Sequence, residues 1–168
     1  VVLATNANRI IADYLAGSLW LPRESISTLA SAMDVGNPSN MERLIHLFGS
    51  LAVLNEKIRV FTVSDENIER QIRKNYSAFG FAICPHTATA SYAYEQLSTA
   101  IRESKDWIIV ATAHPAKFEL IVEPLIGDEI PLPASLQKIQ PMQPVTLLND
   151  TASDNKSSSQ KFIICFTK

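Results

Sequence analysis

Apolar and polar positions fall in short alternating blocks along this chain, and the most telling block runs from Trp107 to Phe118. Trp107-Ile108-Ile109-Val110 is a run of β-favouring residues, which predicts a strand covered on both faces. It stops at Ala111-Thr112-Ala113-His114. Pro115 then suits the first turn of a helix, where its missing N–H breaks no bond. Phe118, Ile121, Val122 and Leu125 follow at spacings of three and four, giving that helix one apolar stripe. In open α/β sheets, ligands bind beyond the carboxyl ends of strands, where helix N-termini offer free N–H groups to anions. Thr112, His114 and Lys117 stand at such a junction and are the first candidates for a site.

The same grammar recurs upstream. Val1 to Thr5 reads as a strand ending in the polar Asn6 and Asn8, and Ile10, Ile11, Tyr14 and Leu15 predict a helix closed near Gly17. Residues 18–36 show little periodicity and read as irregular. Ser39 and Glu42 have capping-box spacing ahead of a helix whose stripe is Met41, Leu44, Ile45 and Phe48. Ile58 to Val63 alternates as a strand, with Ile58, Val60 and Thr62 on one face. Ser64 then caps a helix whose first turn holds Asp65 and Glu66, as the dipole favours. After the short apolar run Phe79 to Ile83, Pro85-His86-Thr87 opens a helix with Ala90, Ala93, Leu97 and Ile101 on its core side. Ile130-Pro131-Leu132-Pro133 breaks regular structure. The serine-rich stretch 151–160 reads as a flexible loop, and Phe162 to Phe166 as a final strand. Alternating strands and helices predict an α/β chain: three layers, a largely parallel sheet and flanking helices.

Composition narrows the partners. The 168 residues are 46% hydrophobic and 19% charged with a formal net charge of −2, enough to bury one core and too neutral to favour nucleic acid or an anionic membrane. No apolar run approaches the roughly 20 residues that span a bilayer. No signal-peptide pattern opens the chain. Two distant cysteines, Cys84 and Cys165, do not make a disulfide framework, and a cytoplasmic location is expected. Cys84, His86 and His114 match no structural zinc spacing, so no metal is expected. No Walker A, G-x-S-x-G or G-x-G-x-x-G pattern occurs, which removes support for nucleotide and serine-hydrolase readings.

Four stretches in order carry a family resemblance. Ala4-Thr5-Asn6-Ala7-Asn8, then Ser31-Ala32-Met33-Asp34-Val35 with Asn37 to Leu44, then Pro85-His86-Thr87-Ala88, then Ala111 to Phe118 resemble signatures of the threonine synthases. The likeness runs from about Leu3 to Lys138 and is to the C-terminal part of that family. It implies a fold type II pyridoxal-phosphate enzyme, related to the tryptophan synthase β fold, acting on O-phospho-L-homoserine and water to give L-threonine and phosphate. It also implies that the Schiff-base lysine and the phosphate loop lie upstream of Val1, so that this chain alone is inactive and an N-terminal domain is its partner. Residues 1–140 would be part of the large cofactor-binding domain and 141–168 a variable tail. A sheet without its upstream strands would leave an edge or apolar face open, so self-association of the fragment is expected.

By the same resemblance Thr112 contacts the pyridine nitrogen of pyridoxal 5′-phosphate, a task suited to a hydroxyl because it can bond the nitrogen without protonating it. The plain alternative is a strand threonine bonded locally. Lys117 and His114 are candidate contacts for a substrate phosphate, against a solvated lysine and a capping histidine. His86 divides between phosphate contact or proton shuttle and packing at its helix start. Asn6 and Asn8 divide between substrate contact and turn formation, and Arg43 between a bidentate substrate contact and a surface ion pair. Two other functions compete: a related pyridoxal-phosphate phospholyase, and an inactive module kept for binding.

Overall fold

The computed structural model describes residues 1–134 and the backbone of 164–167. Val2–Thr5, all buried, form the first strand (β1). Arg59–Thr62 (β2) pair parallel to it, with Val2 opposite Arg59 and Thr5 opposite Thr62. Trp107–Ile108 form β3 and Ile164–Thr167 form β4. β4 lies antiparallel between β1 and β3, giving the order β2-β1-β4-β3. β1, β2 and β3 therefore share one direction. The final strand read at Phe162 to Phe166 is present at Ile164–Thr167, while the loop read at 151–160 lies outside the described residues.

Side-chain alternation in the strands divides the core into layers. Leu3 and Val60 project to one face, onto α1 (Ile10–Leu15), α2 (Met41–Phe48) and α3 (Leu51–Lys57), through Ile10, Ile11, Met41 and Leu54. Val2, Ala4 and Phe61 project to the other, against Ala90 and Ala93 of α5 (Pro85–Glu95) and Leu97 beyond it. Helices thus cover both faces of the sheet, as the alternation of strands and helices predicted. A third cluster extends beyond the strand ends: Val63, Ile68 and Ile72 of α4 (Asp65–Phe79), Ile83, Ala88, and Val122 of α7 (Glu119–Ile126). α5 is buried nearly all round from Pro85 to Ser91, which explains why small residues rather than one apolar stripe fill it. Where it meets α4, Gln71 donates to Ser91 Oγ at 3.0 Å and Asn75 does the same at 3.0 Å, so the buried polar groups are satisfied.

Several boundaries differ from the expectation. The strand read at Trp107 to Val110 is only Trp107–Ile108, and Ile108 is 51% exposed. In the strand order it stands at the edge, with β4 as its one neighbour among the described residues. Pro115 opens a 3-10 turn, Pro115–Phe118, before α7 begins. The residue preceding α2 is Asn40 rather than Ser39, with a backbone already near-helical and a side chain that makes no capping bond. Ser50 and Ser64 do cap, accepting from the N–H groups of Val53 and Asn67. The helix read from Pro85 through Ile101 is two, because Ser98 is extended ahead of α6 (Thr99–Glu103).

The irregular stretch before α2 is held by its own pairing. Arg23 N–H donates to the Gly36 carbonyl at 3.0 Å, and Gly36 N–H donates to Ser25 Oγ at 3.1 Å. A Cβ on Gly36 would fall 1.8 Å from the Arg23 carbonyl oxygen, so the two backbones could not remain this close. Gly36→Ala is expected to destabilise the chain by about 1–3 kcal/mol, the range for overpacking. Urea unfolding would measure it, and an unchanged midpoint would show that this pairing carries no stability.

Candidate functional site

Polar residues gather at the carboxyl end of β1, where the chain leaves the sheet and must satisfy its own amides. Asn6 is fully buried. Its Nδ2 donates to Asp34 Oδ1 at 2.7 Å and Thr28 Oγ1 at 2.7 Å and reaches the Ala30 carbonyl at 3.2 Å. Its Oδ1 accepts from the Asn8 N–H at 2.9 Å. Asn8 in turn holds Ile26 by both backbone groups, donating at 2.8 Å and accepting at 2.7 Å. Asp34 is the hub: it accepts from Asn6, from Asn8, and from both the hydroxyl and the N–H of Thr28, at 2.6–3.2 Å. All these donors are neutral. The network stitches residues 26–34 across the end of β1, so the amides of Asn6 and Asn8, read as either substrate contacts or turn formers, are spent inside the protein.

His86 joins this wall from the first turn of α5. It is 2% exposed, and its Nε2 accepts the Ala32 N–H at 3.0 Å. Its ring lies against Phe118, centroids 4.9 Å apart. Burial pushes the imidazole below its ordinary value, although the nearby Asp34 charge pulls the other way. The sign follows. Above the ordinary value near pH 6.5, folded and unfolded chains both carry neutral His86 and the residue is silent. Below it, the unfolded chain binds a proton that the folded chain refuses, and stability falls with pH until the depressed folded value is reached. Unfolding measured on either side of that value is expected to show this loss, and His86→Gln to remove that part of the slope. An identical slope in the variant would assign it elsewhere.

The segment after β3 contributes the exposed half of the site. Thr112 is half-buried, and among the described residues its hydroxyl has no hydrogen-bond partner. His114 caps the 3-10 turn, its Nδ1 accepting the Ala116 N–H at 3.2 Å, so the neutral ring carries its proton on Nε2. Lys117 is exposed and pairs with no carboxylate among the described residues. Ala116 and Phe118 anchor the turn in the third core cluster. His114 also lines a cleft of about 280 Å³ with Tyr76, Phe81, Ile126 and Ile130. Tyr76 donates its hydroxyl to Asp128, which holds the phenol protonated beyond its ordinary range.

Arg43 does not join them. It is exposed on α2, which packs on the Leu3 face of the sheet, opposite α5 and the His86 wall. The surface ion pair that was the other reading of Arg43 is not made among the described residues either. Two contributors went unread in the sequence. Thr28 lies in the irregular stretch, and Asp65, read as a dipole-favoured acid, accepts the Leu29 N–H at 3.1 Å.

Fold and junction together define a three-layer α/β chain whose polar machinery collects at the carboxyl ends of parallel strands. Residues 87–156 match the family described as threonine synthase, C-terminal. The chain is 35% identical over 135 residues to the threonine synthase of Serratia marcescens, covering 80% of this chain and 30% of that protein. The crystal structure of threonine synthase from Escherichia coli superposes with a TM-score of 0.69 at 30% identity, over 82% of this chain and 31% of that one. A pyridoxal-phosphate-bound threonine synthase from Brucella melitensis shares the fold, with a TM-score of 0.67 at 24% identity over 80% of this chain and 34% of its own. The chain thus spans about three-tenths of the length of the proteins it matches. It is related to the C-terminal part of threonine synthases.

Proposed function

We propose that the chain is the C-terminal part of a threonine synthase that converts O-phospho-L-homoserine and water to L-threonine and phosphate with pyridoxal 5′-phosphate. The observation that carries this reading is where the family-like stretch Ala111 to Phe118 falls. It follows a strand's carboxyl end and offers a hydroxyl and a cation that no described residue engages. Thr112 fits the cofactor, since a hydroxyl that no described residue engages can donate to a pyridine nitrogen while leaving the ring neutral. Pyridoxal phosphate, when bound, supplies the sink for negative charge developing on the substrate carbons. Lys117, with the Nε2–H of His114, would hold the substrate phosphate by charge-assisted hydrogen bonds. The Asn6–Asp34 network would form the rigid wall behind them. The Schiff-base lysine and phosphate loop belong to the rest of the enzyme, residues 1–140 serving as part of its large domain and 141–168 as a variable tail. Cytoplasmic placement is part of the same proposal, supported by Cys84 being a buried free thiol.

The test is to join this chain to the N-terminal part of the Serratia marcescens enzyme, load the fusion with cofactor and supply O-phosphohomoserine. Threonine and phosphate in equal amounts are expected from the fusion and none from the 168-residue chain alone. A folded, cofactor-loaded fusion that forms no product would overturn the enzyme reading in favour of a binding module. A keto acid with ammonia would replace it by the phospholyase. Threonine from the chain alone would overturn its assignment as a part.

A further inference from the structure

His86 was weighed in the sequence as a ligand contact, yet its burial removes it from any phosphate. What it touches suggests a different task. Its Nε2 accepts the Ala32 N–H, which places it one residue from the 3-10 turn's start and two from Asp34. Its ring supports Phe118, the last residue of the turn that carries His114 and Lys117. Because Nε2 is an acceptor, a neutral ring must carry its proton on Nδ1. That Nδ1 is buried and has no partner among the described residues.

We propose that His86 is a positioning residue: a neutral imidazole in the Nδ1–H form that locks the Ala30–Asp34 loop and the Pro115–Phe118 turn to the start of α5. This rests on the site assigned under the proposed function, and it gives that site a hinge point. Protonating Nε2 would set two donors face to face at Ala32 and release the loop. Asp34 on the loop favours that protonation. Burial of the ring opposes it. An imidazole is required rather than a hydrophobe of similar size, since the loop would otherwise lose its only acceptor for the Ala32 N–H among the described residues.

Two measurements decide this, and the first fails or holds independently of the enzyme reading. Long-range ¹H–¹⁵N spectra of the 168-residue chain resolve its three histidines. At about pH 8 His86 is expected to be neutral with its proton on Nδ1, and to take up a second proton only below the ordinary imidazole range. An Nε2–H ring, or a His86 that takes up its second proton within the ordinary imidazole range, overturns the proposal even if the fusion is active. In the fusion, His86→Gln keeps an acceptor near the place of Nε2, whereas His86→Asn places its amide near Nδ1. Gln is expected to keep KM for O-phosphohomoserine within about threefold of the unsubstituted fusion. Asn is expected to raise it about tenfold, with kcat changed less, as a displaced binding turn requires. Equal KM values for Gln and Asn would show that the ring merely fills space. If the unsubstituted fusion makes no threonine, the function fails and the spectra alone decide His86.

Discussion

Asn6→Ala should cost the chain about 3 kcal/mol or more, the largest loss expected from any single truncation at this end of the sheet. The side chain is fully buried and makes contacts in two directions, to Asp34, Thr28 and Ala30 with its nitrogen and to Asn8 with its oxygen. Removing it leaves Asn8 N–H without its acceptor and deprives the Asp34 carboxylate of a donor at 2.7 Å. Each group left unsatisfied costs roughly 1–3 kcal/mol, and more where a charge is involved. The cavity adds little, because few methylene groups are lost. The hydrogen-bond term therefore decides the size. Residues 26–34 would lose their tie to β1, so amide exchange there should rise ahead of global unfolding. Thermal or urea unfolding, with exchange at Ile26 and Thr28, tests this. A loss under about 1 kcal/mol with exchange unchanged would mean that neighbouring groups or water replace the amide without difficulty.

That network also marks where sequence reasoning stopped. β1, the Ser64 cap and the stripe around Met41 were legible because their signals are local: alternation, a hydroxyl before two acids, spacings of three and four. Layering was legible because alternation in a strand fixes which residues share a face, so Leu3 and Ala4 had to find separate cores. The Asn6–Asp34 contact joins residues 28 apart through a stretch with no periodicity, and nothing local announces it. Asparagine after a strand reads the same whether its amide faces a ligand or a loop. His86 is ambiguous for a related reason: Pro85 fixed it at a helix start, but burial came from Phe118 and from the Ala30–Asp34 loop, both distant in sequence. The shortness of β3 was hidden as well. Ile108 and Ile109 carry strong β propensity, and only the order of strands shows that β3 is an edge.

Thr112, His114 and Lys117 stand together in the sequence, and the structure leaves His114 and Lys117 exposed and Thr112 half-buried. What it adds is a difference between their surroundings. His114 is engaged in capping through Nδ1, whereas Lys117 is uncommitted among the described residues.

Lys117→Ala in the fused enzyme is therefore expected to raise KM for O-phosphohomoserine about 10- to 100-fold while kcat stays within about threefold. A hydrogen bond to a charged group contributes roughly 1.5–3 kcal/mol, and 1.4 kcal/mol corresponds to a factor of ten. An interaction made equally with ground and transition states appears in KM alone. Stability should move by no more than about 0.5 kcal/mol, because the side chain is exposed and the variant leaves no buried group unpaired. Lysine has a cost where it stands, in the turn leading into α7, since the positive end of a helix dipole repels a cation. A phosphate bound there would turn that repulsion into joint attraction for one anion. Two controls separate this from a general loss of positive charge. Lys74→Ala removes a cation already paired with Glu95 at 2.6 Å on the α4–α5 side, and should leave KM unchanged. Raising salt should weaken substrate binding in the unsubstituted fusion more than in Lys117→Ala, because screening acts on the charge the variant lacks. An unchanged KM in Lys117→Ala would make this lysine a solvated surface residue and leave the substrate phosphate to residues contributed by the rest of the enzyme.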